Sequence, residues 1–325
     1  MSEPNESSRI ARWRAQLDWP QVVLFALALV LVLSLIVAAS TSSSAFGSYN
    51  SAWDGATDLR GVATDSGADA RVVTNVSAYP TADANGTVAV VLAPQEPYTD
   101  AETARLRTFV ENGGTLVVAE DFGEPGGTLL ADLGTSMRVT GVSLRDERYY
   151  YQGPALPEAR NTTLELRQAG VESVTLNHPS TLRAGDGEVL VRSSEYAYVD
   201  RNRNEELDDN ESLAARPIVA RESIGTGQVI AVSDPSLFLN AMLERPGNTA
   251  FVEWLFADSE TVLLDYSHAG GRPPLIALLA TLRGSPLAQV SLGLLGIAGV
   301  AVWGRRDSAV VTSILNWGRN GRNNE

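Results

Sequence analysis

A strand–helix–strand pattern between residues 87 and 121 most constrains the fold of this 325-residue chain. The run TVAVVLAP, Thr87 to Pro94, is continuously apolar and rich in β-branched residues, as in a strand buried on both faces. A second such run, TLVVAED, covers Thr115 to Asp121. Between them, Thr99 and Glu102 form a capping-box sequence, and Asn112-Gly113-Gly114 is typical of a helix end. The sequence therefore predicts a βαβ unit and a sheet that is at least partly parallel.

The downstream sequence adds more strands and helices to this unit. Strands are predicted at Ser173–Asn177, Glu188–Ser194, Pro217–Ser223, Gln228–Asp234 and Thr261–Ser267. A hairpin turn is predicted at Gly225-Thr226-Gly227, and helices are predicted in PSLFLNAML and NTAFVEWLFA. We therefore expect an α/β fold, a three-layer sandwich with a mostly parallel sheet and a β-rich insertion at about 140–222.

Two uncharged apolar segments indicate membrane attachment. Each has 18 residues, Val22 to Ala39 and Pro286 to Trp303, which is just long enough to span a bilayer as a helix. Arginines lie before the first segment and after the second, so both termini are predicted to be cytoplasmic. The predicted order is a cytoplasmic tail (1–20), a transmembrane helix (21–40), an extracytoplasmic α/β domain (41–284), a second transmembrane helix (285–303) and a cytoplasmic tail (304–325).

The first segment has an alternative interpretation as a cleaved signal peptide. Val37-Ala38-Ala39 resembles a cleavage site, but the apolar stretch is longer than the usual signal-peptide core of about 7–15 residues. An uncleaved anchor is therefore the favoured prediction.

The charge composition narrows the environment and the partners. The net charge is −14, and every one of the 25 cationic side chains is arginine. An acidic surface without lysine favours solubility at high salt, which indicates a halophilic, archaeal source, and it argues against a nucleic-acid partner. The absence of cysteine excludes disulfides, thiolate metal sites and a cysteine nucleophile.

Acidic side chains follow several of the predicted strands. In open α/β sheets, ligands bind beyond the carboxyl ends of the strands, so these residues are candidates for a divalent-metal or acid–base cluster. They are Glu120, Asp121, Asp234, Asp265 and His268. The alternative is structural, with Asp234 capping a helix, Glu120-Asp121 in a solvated turn, and Asp265 and His268 against the membrane-proximal helix. His178 precedes a proline and is predicted to lie in a turn with a structural or surface role.

The stretch DRNRNEELDDNE has acceptors at the spacing of a calcium-binding loop. The candidate calcium ligands are Asp200, Asn202, Asn204, the carbonyl of Glu206, Asp208 and Glu211. Glu205 occupies the sixth place, where such loops need glycine, so it is expected to adopt a left-handed conformation at a cost of about 1–2 kcal/mol. Arg201 and Arg203 reduce the local negative charge. A solvated Asp/Asn turn is the competing interpretation. In either case the stretch is expected on the inserted β-rich segment, away from the parallel core.

The blocks VAVVLAPQEPYTDAETARLRTFVENGGTLVVAEDFG, GTGQVIAVSDPSLFLNAML and DYSH carry a family resemblance. Over residues of about 20 to 305, the chain resembles the haloarchaeal membrane proteins of the family called domain of unknown function 4350. The resemblance implies a fold similar to class I glutamine amidotransferases. It also implies a link to a MoxR-type ATPase and a companion membrane protein in an envelope system.

The amidotransferase mechanism itself is excluded by composition. Such enzymes use a cysteine nucleophile, and this chain has neither a cysteine nor a G-x-S-x-G elbow that could present serine instead. We therefore expect a non-catalytic, membrane-anchored extracytoplasmic domain that binds the bilayer and other envelope proteins. The alternative is a metal-dependent surface hydrolase that uses the strand-end carboxylates.

Overall fold

The computed structural model describes residues 19–40 and 44–270, together with single positions between 274 and 294. Residues Thr41–Arg272 form one compact unit, which contains the α/β architecture. Helix α1, Trp19–Ser40, belongs to a second unit. The predicted tails and most of the second predicted transmembrane segment lie outside the described residues.

The compact unit alternates strands with helices along most of its length. Its helices are α2 (Thr57–Asp65), α3 (Asp100–Glu111), α4 (Glu124–Asp132), α5 (Leu164–Gln168), α6 (Asn240–Leu243) and α7 (Pro246–Phe256). Its first seven strands are β1 (Asp69–Val73), β2 (Thr87–Leu92), β3 (Thr115–Ala119), β4 (Arg138–Val139), β5 (Ser143–Asp146), β6 (Glu158–Ala159) and β7 (Asn161–Thr162). The others are β8 (Val174–Thr175), β9 (Leu182–Arg183), β10 (Glu188–Arg192), β11 (Ala197–Asp200), β12 (Pro217–Ile224), β13 (Gly227–Val232) and β14 (Thr261–Asp265). Short 3-10 helices cover Val76–Ala78 and Pro235–Phe238.

Eight strands form the central sheet in the order β1-β14-β2-β3-β13-β12-β10-β7. The first five strands in this order are parallel to one another, and the last three extend the sheet in antiparallel pairing. The prediction of a mostly parallel sheet is therefore confirmed. Strands β14, β2, β3 and β13 reach the same edge of the sheet with their carboxyl ends.

Helices cover both faces of this sheet, which gives three layers. On one face, α2 and α7 pack through buried residues such as Leu59 and Phe251. On the other face, α3 and α4 pack through residues such as Phe109 and Leu129. Alternate residues of β2 contribute to the two cores, with Val90 in one core and Val91 in the other. Burial on both faces explains why this strand reads as a continuous apolar run.

The predicted βαβ unit is confirmed as β2, α3 and β3. The side chain of Thr99 accepts from the Glu102 amide, and the Glu102 carboxylate accepts from the Thr99 amide, so both halves of the capping box are formed. The helix ends at Glu111, and Gly113 just beyond it has a φ of 102°, in the left-handed region. A Cβ on Gly114 would lie 2.4 Å from the Phe109 ring, so close packing requires glycine there.

Part of the predicted β-rich insertion, about 140–222, belongs to the central sheet. Strands β7, β10 and β12 continue the sheet beyond β13, because the hairpin at Gly225 pairs β12 directly with β13. The remaining strands of this segment form two-stranded pairs, β5 with β11, β4 with β9, and β6 with β8.

The predicted membrane segments gain no support from the fold. A search of the described residues finds no helix that is both long enough and apolar enough to cross a membrane. The two transmembrane helices therefore stay a prediction.

The capping box leads to the first testable prediction. We expect Thr99→Ala to lower the free energy of unfolding by about 1 kcal/mol, because the Glu102 amide loses its acceptor. Chemical denaturation of the full chain measures the difference. Thr108→Ala in the same helix is the matched control, since Thr108 is half-buried, lies outside the N-terminal cap and donates its hydroxyl to the Ala104 carbonyl within the helix. An equal loss in both variants would show that the cap does not stabilise the helix.

Candidate functional site

The carboxyl edge of the parallel strands is the candidate functional site. All five predicted strand-end residues lie there, but strand β2 separates them into two groups. Glu120, Asp121 and Asp234 follow β3 and β13 and form the β3–β13 group. Asp265 and His268 lie at and after the end of β14 and form the β14 group.

Glu120 acts as an acceptor for the backbone where β3 turns into α4. Its side chain is almost fully buried, and one carboxylate oxygen accepts from the amides of Asp121 at 2.9 Å and Gly123 at 2.8 Å. The other oxygen accepts from the Gly126 amide at 3.3 Å. A Cβ on Gly123 or Gly126 would lie within 3 Å of the Glu120 side chain, so glycine at both positions makes room for this contact. Burial raises the pKa of Glu120 despite these donors.

Asp234 plays the same role after β13. Its carboxylate is fully buried and accepts from the amides of Ser236 at 2.8 Å and Asn177 at 2.7 Å. The first bond caps the 3-10 helix that begins at Pro235, so the structural alternative for Asp234 is confirmed. Burial, and to a smaller extent the charge of Asp121, raise the pKa of Asp234 to about 7.

Asp121 is less buried than its two neighbours and keeps one bond to the local backbone. Its carboxylate accepts from the Phe122 amide at 2.6 Å. Burial raises its pKa as well. The β3–β13 group thus holds three carboxyl groups whose pKa values are all shifted upward by burial.

Asp265 accepts from tyrosine and from its own turn. One oxygen lies 2.6 Å from the Tyr79 hydroxyl and 3.4 Å from that of Tyr98, and the other accepts from the Ser267 amide at 2.7 Å. Burial and the nearby Asp265 charge raise the pKa of both tyrosines well above its usual value. The two hydroxyls therefore stay protonated and donate to the carboxylate.

His268 connects the end of β14 to the start of α3. Its Nδ1 lies 2.8 Å from the Ser267 hydroxyl, and its Nε2 lies 3.3 Å from the Glu102 carboxylate. The ring stacks on Tyr98 with the centroids 3.8 Å apart. Contacts on both nitrogens and on one ring face hold the imidazole in a fixed position.

The structure thus does not bring the five predicted residues into a single cluster. In the part of the chain that the structure describes, no group of three or more histidine, aspartate and glutamate side chains is placed to hold a metal ion. The metal-dependent hydrolase therefore stays a prediction.

The predicted calcium ligands are bonded to one another and to the loop backbone. Asp200 ends β11, is almost fully buried and accepts from the amides of Asn204 and Glu205 at 3.2 and 3.0 Å. The side-chain amides of Asn202 and Asn204 both donate to Asp208, at 2.8 and 3.0 Å. The carboxylate of Glu211 accepts from the Arg201 and Asp208 amides, and the Glu206 amide donates to Asn204. Calcium binding itself stays a prediction.

Two expectations about this loop have clear outcomes. Glu205 has a φ of 68°, so the expected left-handed conformation is confirmed. The expected separation from the parallel core is wrong, because the Arg203 guanidinium lies 5.7 Å from the ring centroid of Phe122, just after β3. The loop begins at the end of β11, which pairs with β5 and ends at Asp200.

Several residues of this edge carry no signal in the sequence. Tyr79, Tyr98 and Glu102 reach the β14 group from distant parts of the chain, and the Asn177 amide reaches Asp234 across 57 residues. Arg145, a buried side chain in β5, is also missed. An arginine in a short polar strand reads as a solvent-facing residue, and only the tertiary fold buries it.

Comparison with known proteins identifies a family but no established activity. A family model described as Domain of unknown function (DUF4350) matches residues 48–256. This chain belongs to that family. The match lies within the α/β domain, so it supports this part of the resemblance and leaves the haloarchaeal, membrane and amidotransferase-like parts as predictions. No curated protein matches the DUF4350 chain.

Solved structures show only distant similarity to this DUF4350 chain. The structure named mmIFT52 N-terminal domain is 18% identical, with a TM-score of 0.41, and the match covers 52% of this chain and 76% of that one. A β-galactosidase from Bacillus circulans sp. alkalophilus is 14% identical, with a TM-score of 0.30 and coverages of 53% and 22%. Cytoplasmic Protein STM3548 from Salmonella typhimurium is 14% identical, with a TM-score of 0.37 and coverages of 62% and 86%. Similarity at this level supports no inference about activity.

The buried carboxyl of Asp234 leads to a pH prediction. An unfolded aspartate ionises near pH 4, whereas folded Asp234 keeps its proton to about pH 7. Below pH 4 both states are protonated. As the pH rises from 4 to 7, only the unfolded state loses the proton, so the free energy of unfolding falls. Above pH 7 both states are ionised and this contribution stays constant. We expect Asp234→Asn to remove about 2–4 kcal/mol of this loss, at about 1.4 kcal/mol per pH unit.

Denaturant unfolding of the full chain at pH 4.5 and pH 8 measures this effect as a difference between the wild type and the variant. Asp258→Asn, which removes an exposed carboxylate, is the matched control and should keep the wild-type pH dependence. A pH dependence that is the same in the wild type and in Asp234→Asn would rule out the neutral, buried form of this side chain.

The calcium hypothesis has an independent test. If the loop binds calcium, added Ca²⁺ should raise the melting temperature of the full chain, and Asp200→Ala should abolish the rise. Asp209→Ala is the matched control, because Asp209 lies in the same loop but is not among the candidate ligands. The readout is the Ca²⁺-induced shift within each variant, so a change in basal stability does not affect it. No shift in the wild type would end the hypothesis.

Proposed function

We propose that this DUF4350 chain is a non-catalytic binding or assembly domain, anchored to a membrane on its extracytoplasmic side. The proposal is supported by the buried carboxyl groups at the carboxyl edge, which accept hydrogen bonds from the protein itself. Glu120 and Asp234 are committed to backbone amides, and Asp265 is committed to two tyrosine hydroxyls and an amide. A carboxyl group in such contacts is held as part of the fold and is poorly available as a base or a metal ligand.

The anchoring part of the proposal is supported by the apolar sequences at either end of the domain. Both segments lack charge over 18 residues, and arginine lies beyond each of them. The described large side chains of α1 are exposed, with Leu24 at 65% and Leu35 at 66%. An apolar surface of this kind is unfavourable in water and fits a lipid environment.

The membrane anchor and the lack of a cysteine nucleophile favour a role in which the domain binds protein partners in the envelope. A domain that is held beside a membrane and lacks cysteine chemistry is suited to hold other components in place. The resemblance described above points to a system that contains a MoxR-type ATPase, which would act from the opposite side of the membrane. Purification of the full chain from its native membrane, followed by mass spectrometry, tests this partner.

The alternative is a metal-dependent surface hydrolase built on the β3–β13 group. Its support is the upward pKa shift of Asp234 to about 7, a value suited to acid–base catalysis. Alanine at both Asp121 and Asp234 separates the two functions. Loss of metal binding in a folded variant would favour the hydrolase, whereas unchanged partner binding favours the assembly domain.

Orientation of the domain can be tested directly because the chain has no cysteine. We expect a cysteine in place of the exposed Asp132 to react with a membrane-impermeant maleimide in intact cells. A cysteine in place of Arg319, in the predicted cytoplasmic tail, should react only after permeabilisation. Labelling is measured by the shift of the protein on a gel. Protection of position 132 in intact cells would contradict the extracytoplasmic placement.

A further inference from the structure

A cleft of about 420 Å³ opens at the carboxyl edge of the sheet, between the end of β3 and the loop after β11. Its lining includes Phe122, Ser143, Arg145, His178, Arg203 and Glu205. We name this space the Arg145 cleft. Ligands of open α/β sheets bind at this edge, and the volume is within the range of small-ligand pockets. These lining side chains are distinct from the β3–β13 group and the β14 group described above.

Arg145 lies in the wall of the cleft with an incomplete set of partners. The residue is only 8% exposed, and its buried Nε has no hydrogen-bond partner within the described part of the chain. The one carboxylate that reaches the guanidinium is that of Glu205, at 3.5 Å from Nη2, and this glutamate side chain is 72% exposed. A buried guanidinium is costly unless an anion is paired with it in good geometry. The Arg145 guanidinium therefore has hydrogen-bonding capacity left for an anion.

The backbone around the cleft is also unusual. Five non-glycine residues in the described part of the chain have φ in the left-handed region, and three of them line this cleft. They are His178 at 51°, Arg203 at 58° and Glu205 at 68°. Each such residue costs about 1–3 kcal/mol, and this kind of strain concentrates at ligand clamps and active sites. The strained residues place the His178 imidazole, the Arg203 guanidinium and the Glu205 carboxylate around one space.

The chemistry of the lining selects a ligand class. A guanidinium matches a planar carboxylate with two parallel hydrogen bonds. Phe122 is 42% exposed, and the Arg203 guanidinium lies 5.7 Å from the centroid of its ring. The ring offers an apolar and polarisable surface beside the anion position. Asp200 also lines the cleft, with its carboxylate committed to two loop amides, so a doubly charged phosphate is less suitable than a singly charged group.

We propose that the Arg145 cleft binds an organic carboxylate, with the carboxylate group on Arg145 in the place of Glu205 and an apolar group against Phe122. Glu205 then acts as an internal competitor that covers the guanidinium when the ligand is absent. This inference deepens the proposed binding function, since it names the chemistry that the domain recognises. The carboxylate belongs either to a free organic acid or to the C-terminus of a peptide.

Calorimetric titration of the purified full chain tests the proposal, with EDTA present so that metal binding at the neighbouring loop does not contribute. The probes are 3-phenylpropionate as a free acid and N-acetyl-glycyl-phenylalanine as a peptide C-terminus. The C-terminal amide of the same peptide is the matched probe without charge. We expect saturable binding of at least one acid and binding of the amide that is about 10-fold weaker or more, because the charge-assisted bonds are lost. Binding of the peptide alone identifies the C-terminus as the source.

Variants locate the binding to the cleft. Arg145→Ala should weaken acid binding by about 10-fold or more, but it also changes a buried position. Glu205→Gln keeps Arg145 in place and removes the competing carboxylate, so it should tighten acid binding by about 3-fold. Arg148→Ala removes an exposed arginine that does not line the cleft and should leave the affinity unchanged.

Three outcomes would overturn the proposal: no saturable binding of either acid, equal affinity for the acid and the amide, or an affinity that Glu205→Gln does not change. Each of these is distinguishable from failure of the proposed membrane-anchored function, because maleimide labelling of positions 132 and 319 is independent of the cleft.

Discussion

Parallel pairing of β14, β2, β3 and β13 is the constraint on which the rest of the domain depends. These strands are hydrogen-bonded to neighbours on both edges and apolar on both faces, so they must lie in the middle of three layers. Their carboxyl ends consequently meet at one edge, where the chain turns and leaves backbone amides to satisfy. Buried carboxylates meet this need at three strand ends, and their positions determine where the adjoining turns and helices begin.

These carboxylates are stabilised by neutral donors. None of the ion pairs formed by residues in the described ranges involves Glu120, Asp234 or Asp265. At Asp234 the hydrogen bonds from Asn177 and Ser236 offset only part of the cost of burial, which is why the pKa of this carboxyl is raised to about 7. The part of the edge around Arg145 is different, because this largely buried arginine has a weak partner in Glu205 and the space beside it is open. The carboxyl edge of the sheet thus has one part in which the carboxyl groups are buried and hydrogen-bonded, and another part that is an open cleft.

The sequence predicted the centre of this fold better than its margins. Continuous apolar runs and a capping box gave β2, α3 and β3, because both signals are local. Strand β1 was missed, since it is an edge strand of five residues in which exposed Asp69 and Arg71 alternate with buried positions. The strand-end acids were located correctly at the edge, but their division into two groups depends on the strand order. Strand order is set by long-range pairing, such as that of β14 between β1 and β2, and no local pattern encodes it.

We propose that the strand-end carboxylates serve the fold and that recognition depends on other residues. This role of the carboxylates is tested by adding substoichiometric Mn²⁺ to the full chain with ¹³C-labelled carboxyl groups. A bound paramagnetic ion broadens the carboxyl resonances of its ligands. We predict that Glu120, Asp121 and Asp234 keep their line widths, because both oxygens of Glu120 and Asp234 accept from protein donors and Asp121 accepts from the Phe122 amide. Selective broadening of these three resonances together would contradict the claim and establish a metal centre at the carboxyl edge.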